Sequence, residues 1–198
     1  MISNVPSLER LTNELTKLPG VGPKSAERLA YHILRSPETY NEALREALLA
    51  VRENIHECPI CYSYTEDDIC KYCADVERTD EVICVVENPS DIGRLESSGA
   101  FRGRYHVLHG TISPLDGVNP EDIRLAPLLE RVDNGVKEVI LALDADLEGD
   151  TTALYIAKQL NHRNIKVSRI AHGIPIGGDI DYIDHRTLGR ALENRIEL

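Results

Sequence analysis

The chain has 198 residues, of which 42% are apolar and 28% are charged, and its formal net charge is −11. This composition is typical of a folded globular protein and excludes a disordered chain, and the sequence has no apolar run of about 18 residues that would indicate a membrane span. The negative charge argues against a protein that coats nucleic acid by bulk charge, but it is compatible with a local basic patch. The initial MISNVPSLER segment lacks the features of a signal peptide, so we expect a cytoplasmic protein whose five cysteines stay reduced.

Residues 1–57 are predicted to be helical. Leucines recur at the spacing of a helical face at Leu8, Leu11, Leu15 and Leu18. Pro19-Gly20 ends this helix, a second helix is predicted from Pro23 to Leu34, and Pro37 ends the second. A third helix is predicted over residues 41–55, so the first block forms a small helical region.

The turn between the first two helices reads LPGVGPK and contains two glycines, Gly20 and Gly22. Glycine allows backbone angles that other residues resist, and it leaves the amides bare. Such a turn presents N–H groups at a helix N-terminus, where an anion is favoured. A phosphate bound there would meet Lys24 and, one helical turn later, Arg28. The pattern predicts a DNA-backbone contact, and the alternative is a plain helix–helix turn that needs two glycines for close packing.

Residues 58–80 form a short, charged block that contains four cysteines in a CxxC–x8–CxxC pattern, namely Cys58, Cys61, Cys70 and Cys73. Two such pairs supply the four thiolates of a tetrahedral site that has no open position, which predicts structural zinc (Zn²⁺). The block has too few apolar residues to fold alone, and a metal would supply the missing stability. A redox pair and incidental thiols are the alternatives. Cys84 stands apart in an apolar strand and is expected to be a buried small hydrophobe.

Residues 81–198 alternate predicted strands with predicted helices. Val82–Val86 is a continuous apolar run, typical of a buried parallel strand, and residues 137–143 (KEVILAL) and 165–171 (IKVSRIA) are also predicted to be strands. Helical patterns lie between them, over residues 90–97, 120–132 and 151–161. The alternation predicts a parallel sheet of the α/β class. The histidines have no recognisable metal-ligand spacing and are expected at the surface or as caps, at His106, His109, His162, His172 and His185.

Acidic residues follow two of the predicted strands. They are Glu87 and Asp91 after the first, and Asp144, Asp146 and Glu148 after the strand at 137–143. Because ligands bind at the carboxyl ends of parallel strands, neighbouring strands would bring these carboxylates together. Such a cluster suits Mg²⁺ or a basic partner. The alternative is a set of acidic caps on a solvated rim.

The glycine turn, the four cysteines and the two acidic strand ends resemble, in this order, the RecR family of bacterial recombination-repair proteins. The third block resembles a Toprim domain. Further strings similar to the family lie at residues 102–108 (RGRYHVL), 113–117 (SPLDG) and 172–179 (HGIPIGGD). The resemblance implies a multi-domain α/β protein. Its parts are a helix-hairpin-helix domain at 1–57, a four-Cys zinc finger at 58–80, a Toprim domain at 81–172 and a C-terminal interaction segment at 173–198.

The resemblance implies a non-enzymatic DNA-repair factor of the bacterial cytoplasm, associated with the nucleoid. Members act with RecO, and with RecF where it is present, to load RecA onto single-stranded DNA, and they form ring-like homotetramers. One departure is the DADLEGD string at residues 144–150, where many members have NPxxEGE. This string is closer to the DxD of Toprim enzymes, so Mg²⁺ binding at these carboxylates is still a candidate.

Two other function classes remain. One is a Mg²⁺-dependent Toprim nuclease in which Glu87 is the general acid or base and Asp144 and Asp146 hold the metal. The other is a protein-interaction adaptor without direct DNA contact. A topoisomerase is excluded, because 198 residues leave no room for its gate domains.

Overall fold

The computed structural model describes residues 5–196, and the contacts within this part of the chain divide it into two units that meet at Ile55–His56. The first unit contains three helices, α1 (Pro6–Thr16), α2 (Pro23–Arg35) and α3 (Glu38–Asn54). Proline occupies the first turn of α1 and of α2, where its missing N–H costs nothing. The predicted third helix begins three residues earlier than expected, because the Pro37 carbonyl accepts the amides of Tyr40 and Asn41.

The second unit opens with a small cysteine-bearing segment, which we call the metal segment (residues 56–80). It contains a two-residue antiparallel pair, β1 (His56–Glu57) with β2 (Tyr64–Thr65), and the one-turn helix α4 (Lys71–Ala74). Elements this short do not persist on their own. The segment therefore depends on its cysteines and on the neighbouring sheet.

The rest of the second unit is a four-stranded parallel sheet with helices on both faces. In chain order the elements are β3 (Val82–Val86), α5 (Pro89–Ser97), β4 (Arg104–Val107), α6 (Leu125–Val132), β5 (Glu138–Ala142), α7 (Leu147–Leu160), β6 (Lys166–Arg169) and α8 (His185–Glu193). The strand order is β4-β3-β5-β6, and every neighbouring pair is parallel. The sheet, the helical unit and the four-cysteine cluster confirm the predicted multi-domain α/β class.

The core has two layers because alternate residues of a strand face opposite sides of the sheet. Ile83 and Val85 face α6 and α7, whereas Cys84 and Val86 pack on the side that also holds Ile92 of α5. Cys84 is buried, as predicted, and burial raises the pKa of its thiol to about 12.

Two helices of the second unit also differ clearly from their predicted bounds. The expected helix at 120–132 is broken after a short 3-10 turn, because the Arg124 amide donates to the Leu108 carbonyl at 2.8 Å and pulls the chain onto the sheet. Helix α7 begins at Leu147 and not at 151, because the Asp146 side chain caps it. Within residues 5–196, no helix combines the length and the apolar character needed to cross a bilayer.

Candidate metal centre, anion-binding turn and acidic sheet edge

The four predicted cysteine ligands converge in the metal segment. Their sulfurs all lie within 4.8 Å of one another, and three of the four side chains are buried. Four Zn–S bonds of about 2.3 Å place tetrahedral sulfurs about 3.8 Å apart, so a small adjustment closes the site around zinc. The Cys61 and Cys70 sulfurs share a hydrogen bond over 3.4 Å, which lowers the pKa of Cys70 and raises that of Cys61. The cluster could therefore bind a metal ion.

Each CxxC pair lies in a tight turn. In the first turn, the Tyr62 amide donates to the Cys58 carbonyl at 2.9 Å, and in the second the Cys73 amide donates to the Cys70 carbonyl at 3.0 Å. Tyr62 has a φ of 64°, an uncommon value for a side chain of this size. All four sulfurs face one point, which favours a closed structural centre over two separate redox pairs.

The glycine turn before α2 has the geometry expected of an anion site. Gly20 has a φ of 76°, which favours glycine, and the Val21 amide closes the turn by donating to the Leu18 carbonyl at 3.1 Å. No side chain caps α2 at Gly22, and a Cβ built there would meet nothing within 4 Å. The start of α2 is thus open to an outside acceptor.

The basic residues of α2 continue from this turn along one helical face. Lys24, Arg28 and Arg35 line one shallow depression together with Tyr31, His32 and a single carboxylate, Glu27. The Arg35 guanidinium lies 5.8 Å from the Tyr31 ring. The structure therefore places Lys24 and Arg28 of the predicted DNA contact in one depression, while Gly20 and Gly22 lie in the turn that precedes α2. Sequence reasoning missed Tyr31 and Arg35, although their helical spacing from Lys24 and Arg28 was the available signal.

The carboxylates of β3 and β5 meet at one edge of the sheet because the two strands are parallel neighbours. Glu87 is only 8% exposed, and its Oε1 accepts the Asp144 amide at 2.8 Å. Burial raises the pKa of Glu87, the Asp144 amide partly opposes this, and the charges of Asp144, Asp146 and Asp91 raise it further. Negative charge is therefore concentrated where the two central strands, β3 and β5, end at the carboxyl side of the sheet. We call this region the acidic edge.

Two of the predicted acidic residues also cap helices. The Asp91 carboxylate accepts the Asn88 amide at 2.8 Å, and Asp146 Oδ1 accepts the Gly149 amide at 2.8 Å. Glu148 follows in the first turn of α7. Asp91 and Asp146 therefore act as helix caps, as the alternative reading of the sequence expected. Their charges nevertheless remain at the acidic edge.

Sequence reasoning did not include Asp150 among the site residues. Its carboxylate contacts Arg169 of β6 and, at 3.5 Å, Arg190 of α8, and the Arg169 hydrogen bond lowers its pKa. Arg169 also donates to the Asp144 carbonyl at 2.9 Å. The protein's own arginines thus neutralise one end of the DADLEGD string. The residues next to Asp150 in the sequence do not predict these ion pairs, because both arginines come from other elements.

His106 corrects the expectation that the histidines lie at the surface or cap helices. It is completely buried, its Nε2 lies 2.7 Å from the Arg124 carbonyl, and burial lowers its pKa to about 4. It sits inside β4, a strand that the sequence analysis did not predict.

Comparison with known proteins covers nearly all of the chain. Family models described as "RecR, helix-hairpin-helix", "Toprim domain" and "RecR, C-terminal" match residues 8–52, 81–171 and 173–196. Recombination protein RecR of Bdellovibrio bacteriovorus is 60% identical over 202 residues, which cover 98% of this chain and 99% of the relative. Its counterpart from Syntrophotalea carbinolica is 49% identical and covers 100% of both chains. That of Deinococcus radiodurans is 50% identical over 96% of this chain and 86% of its own.

Proposed function

Because the chain belongs to the RecR family of recombination proteins, which act in DNA repair and recombination, we propose that it is a DNA-binding mediator without catalytic turnover. It acts with RecO, and with RecF, to load RecA onto single-stranded DNA. The observation that carries the proposal is the uncapped start of α2, followed by Lys24 and Arg28 on one helical face. The proposed parts are the DNA-binding helical domain at 1–57, a zinc finger at 58–80, a partner-binding Toprim domain at 81–172 and an assembly segment at 173–198.

The glycine turn binds DNA through its phosphates. Free amides at the start of α2 donate to a phosphate oxygen, and the helix dipole adds a favourable field. Lys24 and Arg28 neutralise the same phosphate and its neighbour. These contacts read no base edges, so binding is independent of sequence and decreases steeply with salt.

Lys24→Glu tests this contact, and Lys17→Glu is the matched control. Lys17 lies in the same unit, is well exposed and pairs with Glu14, so both variants change the charge equally. We expect Lys24→Glu to weaken DNA binding and to reduce the salt slope by about one unit, as measured by fluorescence anisotropy. If both variants bind alike, the glycine turn is not the DNA site.

Zinc is the proposed metal of the four-cysteine cluster. Four thiolates suit zinc and leave no coordination position for substrate, so the metal contributes folding free energy and takes no part in turnover. Metal analysis of untagged protein should find about one zinc per chain. A folded protein without bound metal would disprove this assignment.

The acidic edge is the proposed docking site for basic residues of RecO. Glu87, Asp144 and Asp146 repel one another and are stabilised by an incoming positive charge, for which Mg²⁺ is the other candidate. Asp144→Asn with Asp146→Asn should weaken RecO binding, most strongly at low salt, and asparagine preserves the cap of α7. Asp67→Asn with Asp68→Asn removes the same charge from the exposed surface of the metal segment and serves as the control.

The same double variant distinguishes partner docking from the alternative function, a Mg²⁺-dependent nuclease. Mg²⁺-dependent cleavage of DNA or RNA by the parent protein, lost in the variant with Asp144 and Asp146 changed, would replace the docking proposal with a catalytic one. RecO binding that the double variant leaves unaltered would reject docking at this edge.

Assembly into a homotetramer is also proposed. Helix α3 has no buried residue within its own unit, and it exposes Leu48, Leu49 and Val51. Exposed apolar residues grouped on one helix favour burial against another chain. Light scattering should give the mass of four chains, and Leu48→Glu should lower it.

A further inference from the structure

Strand β4 belongs to the RGRYHVL string, to which the proposed function assigns no role. It forms one edge of the parallel sheet, so one side of its backbone has no strand partner. Part of this side is covered by the metal segment, because the Val107 amide donates to the Cys61 carbonyl at 2.8 Å. The metal segment thus lies against a sheet edge that would otherwise attract other strands.

Arg104, at the start of β4, connects the sheet to the second cysteine pair. It is 8% exposed, and its Nη1 donates to the carbonyls of Tyr72, Cys73 and Asp75 at 2.7, 3.1 and 2.8 Å. Its Nε donates to Asp80 at 2.6 Å, which fixes the plane of the guanidinium. One buried cation therefore binds three backbone carbonyls at the C-terminal end of the one-turn helix α4.

The carbonyls of Tyr72 and Cys73, which lie inside α4, need a donor from outside the helix, whereas the Asp75 carbonyl also accepts the Arg78 amide at 3.4 Å. Helix α4 has only four residues, so its last carbonyls have no partner further along a helix. Cys73 lies inside α4, and Cys70 is its N-cap. The position of both sulfurs is thus determined by a turn that Arg104 holds from outside.

The first cysteine pair is held from the other end of the same strand. Besides the Val107 amide on the Cys61 carbonyl, His109 Nε2 lies 2.6 Å from the Tyr62 carbonyl. Residues 104–109 therefore contact both cysteine turns, one at each end of β4.

We propose that Arg104 is a positioning residue for the metal centre, which holds the Cys70–Cys73 turn in the geometry that accepts the ion. The proposal rests on the proposed metal binding by the cysteine cluster. Groups that orient metal ligands from outside typically contribute 10- to 100-fold to metal affinity. It follows that metal binding and coverage of the β4 edge are linked, and removal of the metal uncovers the edge.

The test compares Arg104→Met and Arg104→Lys with two controls. Arg102→Met makes the same change at an exposed position. Arg131→Met removes a guanidinium whose Nη1 donates to the Tyr105 carbonyl at 2.5 Å, which is on the same strand but outside the metal segment. Zinc content and the rate of zinc transfer to a chromogenic chelator are measured, with circular dichroism as the check of folding.

We expect Arg104→Met to release zinc about 10- to 100-fold faster than the parent, Arg104→Lys to be intermediate, and both controls to match the parent. Amide exchange at Val107 should rise when zinc is removed. If Arg104→Met does not fold, Arg104→Lys decides the question. Parent-like release from folded Arg104 variants, or equal acceleration by Arg131→Met, overturns the proposal. A parent protein without zinc overturns the metal assignment itself.

Discussion

Gly149 provides a sharp test of how the acidic edge is built. It lies in the first turn of α7, and alanine is preferred to glycine in helices by at most about 1 kcal/mol. A Cβ at this position would lie 2.2 Å from the Asp144 carbonyl oxygen and 3.1 Å from its carbon, whereas real Cβ contacts essentially never fall below 3.0 Å. The helix start and the end of β5 approach too closely for any side chain at Gly149.

The two effects have opposite signs, and their magnitudes decide the outcome. The obstacle is backbone, so Gly149→Ala must move either α7 or the Asp144 peptide by about 0.8 Å. Overpacking of this kind costs about 1–3 kcal/mol. We expect a cost near the upper end of this range, because backbone moves less easily than a flexible side chain. After the gain in helix propensity, the net loss is about 2 kcal/mol, or roughly 6 °C in the unfolding midpoint.

Gly93→Ala is the matched control. Gly93 lies inside α5, and a Cβ there would meet nothing within 4 Å, so alanine should stabilise by about 0.5–1 kcal/mol. Thermal unfolding followed by circular dichroism should therefore show midpoints that move in opposite directions. If Gly149→Ala is as stable as Gly93→Ala, the close approach of α7 to Asp144 is wrong.

Three further predictions concern the metal, the buried carboxylate of Glu87 and the half-buried carboxylate of Glu96. Chelation of the metal should lower the unfolding midpoint and increase aggregation, as seen by light scattering, and an undiminished midpoint would contradict a structural role. Burial is the main reason that the pKa of Glu87 is raised, so the stability that the protonated side chain contributes is present at low pH and is lost as the pH rises through that pKa. Glu87→Gln should therefore stabilise the protein at pH 7. In urea titrations this advantage over the parent should disappear below about pH 4. Burial alone would raise the pKa of Glu96, but hydrogen bonds from Arg78 and Tyr105 leave it lowered, so Glu96→Gln should destabilise at pH 7 and have no effect in strong acid.

The parts of the fold that were predictable have a signal within a few consecutive residues. The run VICVV gave β3 its observed bounds, Val82–Val86, because a strand buried on both faces has no polar position. The close approach of Glu87 and Asp144 could be predicted because it depends only on two parallel strands being neighbours. The glycine turn was predictable because positive φ at Gly20 leaves few other residues possible.

Strand β4 could not be predicted from its own residues. RYHV contains an arginine and a histidine, which normally indicate an exposed strand, yet all four residues are buried. Arg104 is tolerated because four acceptors surround its guanidinium, and His106 because burial keeps it neutral. Both explanations depend on partners 18 to 32 residues away in sequence. Sequence periodicity contains no information about such partners.

The net charge of −11 is compatible with the proposed DNA contact at one basic surface. Several arginines do not contribute to an outward field, because Arg78, Arg104 and Arg169 pair with carboxylates and carbonyls inside the second unit. On α2, by contrast, Lys24 and Arg28 make no ion pair among the described residues, so their charge faces solvent. Because salt screens exposed charges over about 10 Å, the net charge of the chain does not decide what binds at a local basic surface. In the proposed DNA complex, the local field is therefore set by Lys24 and Arg28 beside the glycine turn, and the acidic edge is the surface proposed for a basic protein partner.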